Sequence, residues 1–335
     1  MNYPYSEIRK AADVGDVHVD VPLTTMSVAY MQSIDTFIAT KVFPTIPVTF
    51  LSNRYYTFAR DTFFRNRARK WTPGTPMPQS MFDLDNTPTY SCQFRAFEHP
   101  LRWDIARNAD SVINFERAVA EFVTHTLLLG REIEWSQTFF KSGVWGTNLT
   151  GVTSGPSSDQ FIKWDDYVNS NPIEDFTKAI LTIKSKTGYT PNVAVMSEQV
   201  YQKLRIHPVI KEMYKYVQVP VVTPDMIANV LGLEKLYIGS AIVATSEEGA
   251  GDDNFTADWV FGKNAWVGYV PPSPSLMMPA SGYTFSFTGL GGGYEVVIQR
   301  IPDQRHMVDY TQGYMCYDQK VIGKDLGVFF ADAVS

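Results

Sequence analysis

One stretch constrains this chain more than any other. Between two runs of alternating aromatic and polar residues lies RNRARKWTPGTPMPQS, Arg65 to Ser80, a dense basic run followed by Pro73, Pro76 and Pro78. It is too basic for a core and too rich in proline for a helix. The flanking runs, Asn53–Arg65 and Pro88–Ile105, alternate with period two and are read as strands. Two long strands joined by a Pro/Gly-rich tip make an extended two-stranded arm. A lone hairpin of that kind is marginal in water, because neither face has a core. The tip is open to three readings: a nucleic-acid patch, a disordered segment, or an arm that reaches for something else.

The rest of the chain narrows them. Of 335 residues 44% are hydrophobic, enough for a large core in one or two domains. The formal net charge is −6 and the pI about 5.4, the wrong sign for a general nucleic-acid binder. Cys92 and Cys316 are far apart and have no CxxC spacing. They fit a reduced compartment best, with one long-range disulfide as the alternative. The N-terminus has no apolar signal region, and no apolar run approaches the roughly 20 residues of a membrane span. A soluble protein made in a cytosol is expected.

Helix signals dominate the middle. Ser111–Lys141 carries Val112, Phe115, Val119, Phe122, Leu129, Ile133 and Phe140 at spacings of about three and four. That predicts a long amphipathic helix of roughly 45 Å, capped by Asp110 or Ser111 and interrupted only by Gly130. The Gly/Ser/Thr-rich segment 143–160 reads as a loop and as the best internal boundary. Beyond it helix and strand alternate: Asn171 and Pro172 open a helix that stops at Gly188, Ser197 caps a second, and Thr223-Pro224 opens a third. EKLYIGSAIVAT, Glu234–Thr245, reads as one strand, and everything from Tyr283 onward reads as β. The class is α+β.

Catalytic and ligand motifs are weak. GLGGG, Gly289–Gly293, is followed by a strand pattern and not by a helix, so it reads as a turn and not a phosphate loop. Glu121 and His125 lie four apart on the long helix, but two ligands without a third make a poor metal site. His99 and His207 precede proline and read as turn residues. Asp83, Asp85 and Asn86 lack the glycine and glutamate of a calcium loop. Asp252 and Asp253 fall in an acidic solvated loop. Glu132 and Glu134 argue nothing for glycoside chemistry. No catalytic residue, cofactor or metal is assigned.

At this point the residues become familiar as a set. VFP before the arm, YYTF entering it, the spine segment from ARNAD through FERAVAEFV to GREIEWS, and above all WDDYVNSNPIEDFTKAILTIKSKTGYTPNVAVMSEQVYQKLRIHPVI resemble the major capsid proteins of tailed bacteriophages, with the Hong Kong 97-type fold. The resemblance runs from about Val42 to the C-terminus. It implies an N-terminal arm at 1–49 and an extended loop at 50–95 that lies across the adjacent subunit. It implies a peripheral domain at 96–150 and 290–322 with the long spine helix, and an axial α/β domain at 155–289 and 323–335. It also implies a non-enzymatic head protein that assembles as hexamers and pentamers into an icosahedral shell around double-stranded DNA. The expected partners are other copies of the chain, a portal protein, a decoration protein in some systems, and packaged DNA without specificity; no membrane is expected. The place would be the virion, after synthesis in the bacterial cytoplasm. The chain starts at Met1 and lacks long helical periodicity ahead of the arm, so a separately encoded scaffolding protein is expected. Arg65, Arg67, Arg69, Lys70 and Trp71 are then expected to contact the neighbouring subunit, with the prolines holding the tip extended. Two other classes stay open: an encapsulin-like nanocompartment shell holding cargo enzymes, and an enzyme whose site converges only in three dimensions.

Overall fold

The computed structural model describes residues 32–58, 64–66, 68–77, 79, 84–108, 115–214, 222–249, 251–273, 278–290 and 296–335. Two sheets and one long helix organise them. The first sheet has five strands: β1 (Thr45–Val48), β14 (Gly282–Phe287), β16 (Val308–Val321), β15 (Val297–Asp303) and β6 (Gln93–Arg102). Its spine is β16, 14 residues long. Residues 308–314 of β16 pair antiparallel with β15 on one side and β6 on the other, while residues 317–321 pair with β14. The second sheet has six strands in the order β10 (Lys235–Gly239), β9 (Val193–Ser197), β13 (Ala265–Gly268), β17 (Gly327–Ala331), β7 (Thr147–Val152) and β8 (Gln160–Ile162).

Successive side chains of a strand point to opposite faces, so a central strand that is apolar throughout must be covered twice. Ala194, Met196, Val267 and Phe330 of the six-stranded sheet face one core, with Phe176 and Ile183 of α4 (Pro172–Thr187), α5 (Glu198–Ile206) and α7 (Pro224–Val230). Val193, Val195, Trp266 and Phe329 face a second core, with α1 (Ala39–Val42) and Trp135 and Phe139 of α3 (Phe115–Phe139). The earlier half of α3 packs elsewhere: Val119, Val123 and Leu127 meet Met315 and Tyr317 of β16. One helix therefore closes a core in each lobe, changing from one to the other between Leu127 and Leu128. Its close seat on β16 depends on Gly313, where a Cβ would lie 2.5 Å from Val123 Cγ1.

The arm leaves the five-stranded sheet as two short antiparallel ladders. β2 (Ser52–Arg54) pairs with β5 (Thr89–Ser91), and β3 (Thr57–Phe58) pairs with β4 (Leu84–Asp85). Its root is fixed by aromatic contact, Tyr90 stacking on Phe285 at 4.7 Å with Tyr55 beside it.

Local signals are met where they act through the backbone itself. Asn171 accepts from the Glu174 N–H, Pro172 opens α4, and Gly188 closes it at φ 74°. Ser197 caps α5 and Thr223 caps α7. Other expectations are corrected. The segment 143–160 holds β7, a strand of the six-stranded sheet, paired to β17 and to β8, which begins at Gln160. The strand expected at Asn53–Arg65 is two short pieces, with residues 59–63 outside those described. Pro88–Ile105 divides into β5 in the arm, β6 in the sheet, and the start of α2 (Trp103–Asn108). Glu234–Thr245 divides into β10 and β11 (Ile242–Ala244), which among the described residues pairs with β12 (Ala257–Trp259) alone. The break follows Gly239, against which the Phe261 ring packs so closely that a Cβ would sit 2.3 Å from it. The spine helix ends at Phe139, two residues before the expected Lys141, and its expected caps Asp110 and Ser111 lie outside the described residues. Phe122 is not on its buried stripe but 42% exposed. Among the described residues Gly130 makes no close approach, since a Cβ there would meet nothing within 4 Å.

Candidate assembly surfaces

The arm tip is where the basic run is displayed. Arg65, Arg69 and Lys70 are exposed, and Arg67 lies outside the described residues. Thr72 to Thr75 form a tight turn: the Thr75 N–H donates to the Thr72 carbonyl at 3.2 Å, with Pro73 second and Gly74 third at φ 95°. Proline then a positive-φ glycine is the pattern of a type II turn. The tip is thus not extended through Pro73, as the proline content implied. The Trp71 indole N–H donates across this turn to the Thr75 carbonyl at 2.7 Å. That fixes the ring and satisfies its polar edge, while Trp71 as a whole is 42% exposed. Phe64 and Met77 are more exposed still, at 60% and 64%. Phe64 lies beside Gly188, after α4, where an added Cβ would come within 3.3 Å of its ring.

A second open surface is the side of the five-stranded sheet turned away from α3. Cross-strand partners in an antiparallel ladder share a face, so β6, β16 and β15 line up Pro100, Tyr310 and Ile301 there, and Ala96, Tyr314 and Val297. Between these rows Gln312 donates to Glu98 at 2.9 Å and accepts from Gln299 at 3.2 Å.

The polar groups that could have carried chemistry are tied into the fold. The Glu132 carboxylate, 1% exposed, accepts the backbone N–H groups of Ile38 and Ala39 at 2.8 and 2.9 Å, capping α1 from the spine helix. Burial nevertheless raises its pKa above the ordinary value. Glu134 pairs with Arg95 and accepts from the Tyr317 hydroxyl at 2.8 Å, joining α3 to the sheet. Burial, then this carboxylate, raise the phenol's pKa and keep it protonated. Glu121 pairs with Arg117 while the His125 ring lies against Phe37, so the two do not meet around a metal. Among the described residues no group of three potential ligands converges. Asp85 caps the turn to Thr87, and Asp83 lies outside those residues. Residues 291–293 of the glycine run also lie outside them, and the next described element is the strand β15.

The fold also builds a pair that the sequence did not reveal. His207 Nε2 stands 3.0 Å from Ser170 Oγ, both buried, from positions 37 apart. The geometry is of a latch, not a nucleophile. His207 Nδ1 accepts the Val209 N–H, so the ring proton is on Nε2 and is donated to the serine, whose own proton goes to the Asp166 carbonyl at 2.6 Å. A base that must take a proton from serine needs the opposite tautomer. His207 lies at the junction of α5 with α6 (Pro208–Met213) and caps α6. His99, by contrast, is not the turn residue expected; it sits within β6. Cys92 and Cys316 are free and buried in one apolar cluster, and burial pushes the Cys92 thiol up to about 12. No helix among the described residues is long and apolar enough to cross a membrane.

No family model matches the chain. It is 23% identical over 320 residues to the major capsid protein of Burkholderia phage BcepMu, covering 92% of this chain and 94% of that one. Among solved structures, a phage-related protein of Bordetella bronchiseptica RB50 aligns with a TM-score of 0.69 at 24% identity, over 94% of this chain and 97% of that one. The capsid of cyanophage P-SCSP1u gives 0.54 at 10% identity, over 91% and 89%. The SrpI encapsulin of Synechococcus elongatus PCC 7942 gives 0.51 at 10%, over 95% and 97%. The chain has the Hong Kong 97-type capsid fold, in the α+β class.

Proposed function

We propose that this chain is the major head protein of a tailed bacteriophage, a structural subunit that assembles with copies of itself into hexamers, pentamers and a closed shell around double-stranded DNA. One observation carries the reading: the two-stranded arm, reaching from about residue 50 to 91, ends in exposed aromatic, aliphatic and cationic side chains. Exposed apolar groups grouped in that way mark a surface that is covered in an assembly. The likeness to a phage major capsid protein over nearly its whole length supports it. The acidic composition also favours it, since a wall that bound phosphates tightly would hold the genome fast. In this reading residues 1–49 are an N-terminal arm and 50–95 the extended loop. Residues 96–150 with 290–322 form the peripheral domain, and 155–289 with 323–335 the axial one. A separate scaffolding protein directs assembly, a portal and in some systems a decoration protein complete the head, and the mature site is the virion.

The encapsulin likeness favours one other reading, a compartment shell around cargo enzymes. Negative-stain microscopy of the purified full chain, alone and co-expressed with a candidate scaffolding protein, separates the outcomes. Capsomers or misshapen shells alone, and uniform shells with the scaffold, are expected. Uniform shells from the chain alone would remove the scaffold requirement. Shells that enclose protein and no nucleic acid would favour the compartment, and a permanent monomer would refute both.

A further inference from the structure

We propose that the arm tip of one copy docks on the acidic hairpin β11–β12 of the next copy, an inference that rests on the shell-subunit reading. The hairpin is the chemical complement of the tip. Between Lys235 and Lys263 the chain has no lysine or arginine but five carboxylates, Glu247, Glu248, Asp252, Asp253 and Asp258. The tip region 60–80 has five basic residues and one acidic. Glu247, Glu248, Asp253 and Asp258 are exposed, and none forms an ion pair among the described residues. Like the tip, the hairpin also shows aromatic surface, with Phe255 56% and Trp259 36% exposed. Charge beside apolar surface on both partners gives steering and a desolvated anchor together.

The hairpin is built to receive a load. Ile242 exchanges two hydrogen bonds with the Gln32 side chain, at 2.7 and 2.9 Å. Val260, just past β12, takes the Ser136 hydroxyl of the spine helix on its carbonyl at 2.7 Å. Thr245 and Thr256 close the ladder through their hydroxyls at 3.0 Å. A projection held in this way loses little freedom when bound.

The same geometry argues for contact between copies. Phe64 of the tip lies beside Gly188 at the end of α4, which packs on one face of the six-stranded sheet. The hairpin is fastened to α3, which packs on the other. Two different, complementary patches anchored on opposite faces of one subunit make a head-to-tail contact, the kind that closes rings.

The test is a charge swap in the full-length chain, with assembly followed by sedimentation and microscopy and folding checked by circular dichroism. The double variants Arg69→Glu with Lys70→Glu, and Glu247→Lys with Glu248→Lys, should each lower the assembled fraction at least tenfold while remaining folded. Combining all four changes should restore at least half of it. The neutral pair Arg69→Gln with Lys70→Gln, which introduces no repulsion, should lie between parent and reversal. A hairpin reversal that assembles as the parent does, or a combined variant no better than either half, overturns the pairing. An arm variant that forms normal shells lacking DNA places the tip against the genome instead and overturns it equally. A parent chain that never assembles, even with its scaffold, defeats the shell reading itself.

Discussion

Asp175 shows how a single residue can be held in a state its surroundings oppose. It lies in the first turn of α4, where a carboxylate suits the helix dipole. Yet burial pushes it up to about 6, against the Trp164 indole N–H that donates to it at 3.0 Å. A group that holds its proton more tightly folded than unfolded stabilises most below its unfolded value, about 3.9. That contribution is lost as pH rises through about 6. Asp175→Asn keeps an acceptor for the indole and removes the titration. Urea midpoints for variant and parent should coincide near pH 4 and separate by pH 7.5, with the variant more stable by about 1–2 kcal/mol after allowance for solvent screening. An equal difference at both pH values would refute the assignment. His99, His125 and His207 act in the opposite sense, burial lowering each below its ordinary value. Their contribution is complete above about pH 6.5 and fades as pH falls. Because it is common to both proteins, the comparison isolates the aspartate.

At the scale of elements, what the sequence disclosed depended on how local the cause was. Asn171, Pro172 and Gly188 bound α4 through their own backbones and hydrogen bonds, so three residues were enough to place it. The division of β10 from β11 at Gly239 comes from Phe261, 22 positions on, and left no mark in a continuous apolar run. The spine helix shows an intermediate case. Its period was legible, but one continuous stripe through Phe122 was not the buried one, because the helix serves two cores and its inward face is set by Val119, Val123 and Leu127 first and by Leu128, Trp135 and Phe139 later. The basic tip of the arm was legible as an exposed surface, whereas its turn at Thr72–Thr75 was hidden within a proline count. Neighbouring substitutions distinguish the two faces of the helix. Phe122→Asp, on a 42% exposed ring whose described aromatic partners are Phe97 and His99 in T-shaped contact, should cost about 1 kcal/mol and leave the chain soluble. Val123→Asp buries an unpaired carboxylate against β16 and should cost ~4 kcal/mol or more, abolishing soluble expression. Equal effects on soluble yield would mean that the helix turns a different face to β16.

The whole molecule is two lobes that share a helix and the chain crossings around it, and their stabilities are linked. Gly313→Ala sets a methyl group where Val123 and Leu127 already stand and should cost about 1–3 kcal/mol by overpacking. Although the site is in the five-stranded sheet, near-ultraviolet signals of the buried Trp164 and Trp266 in the other lobe should be lost in the same transition as the rest. Two separated transitions would show the lobes to be independent. The shared helix has a mechanical consequence. It is a beam clamped at both ends, by residues 119–127 in one lobe and 128–139 in the other. A beam held in this way flexes where its supports change, and next to that place stands Gly130, exposed and without a side chain to resist curvature. Curvature at that place would let the angle between the lobes change with both cores still packed. In the proposed shell, one sequence would then meet slightly different bends, as a closed polyhedron built from a single kind of tile requires.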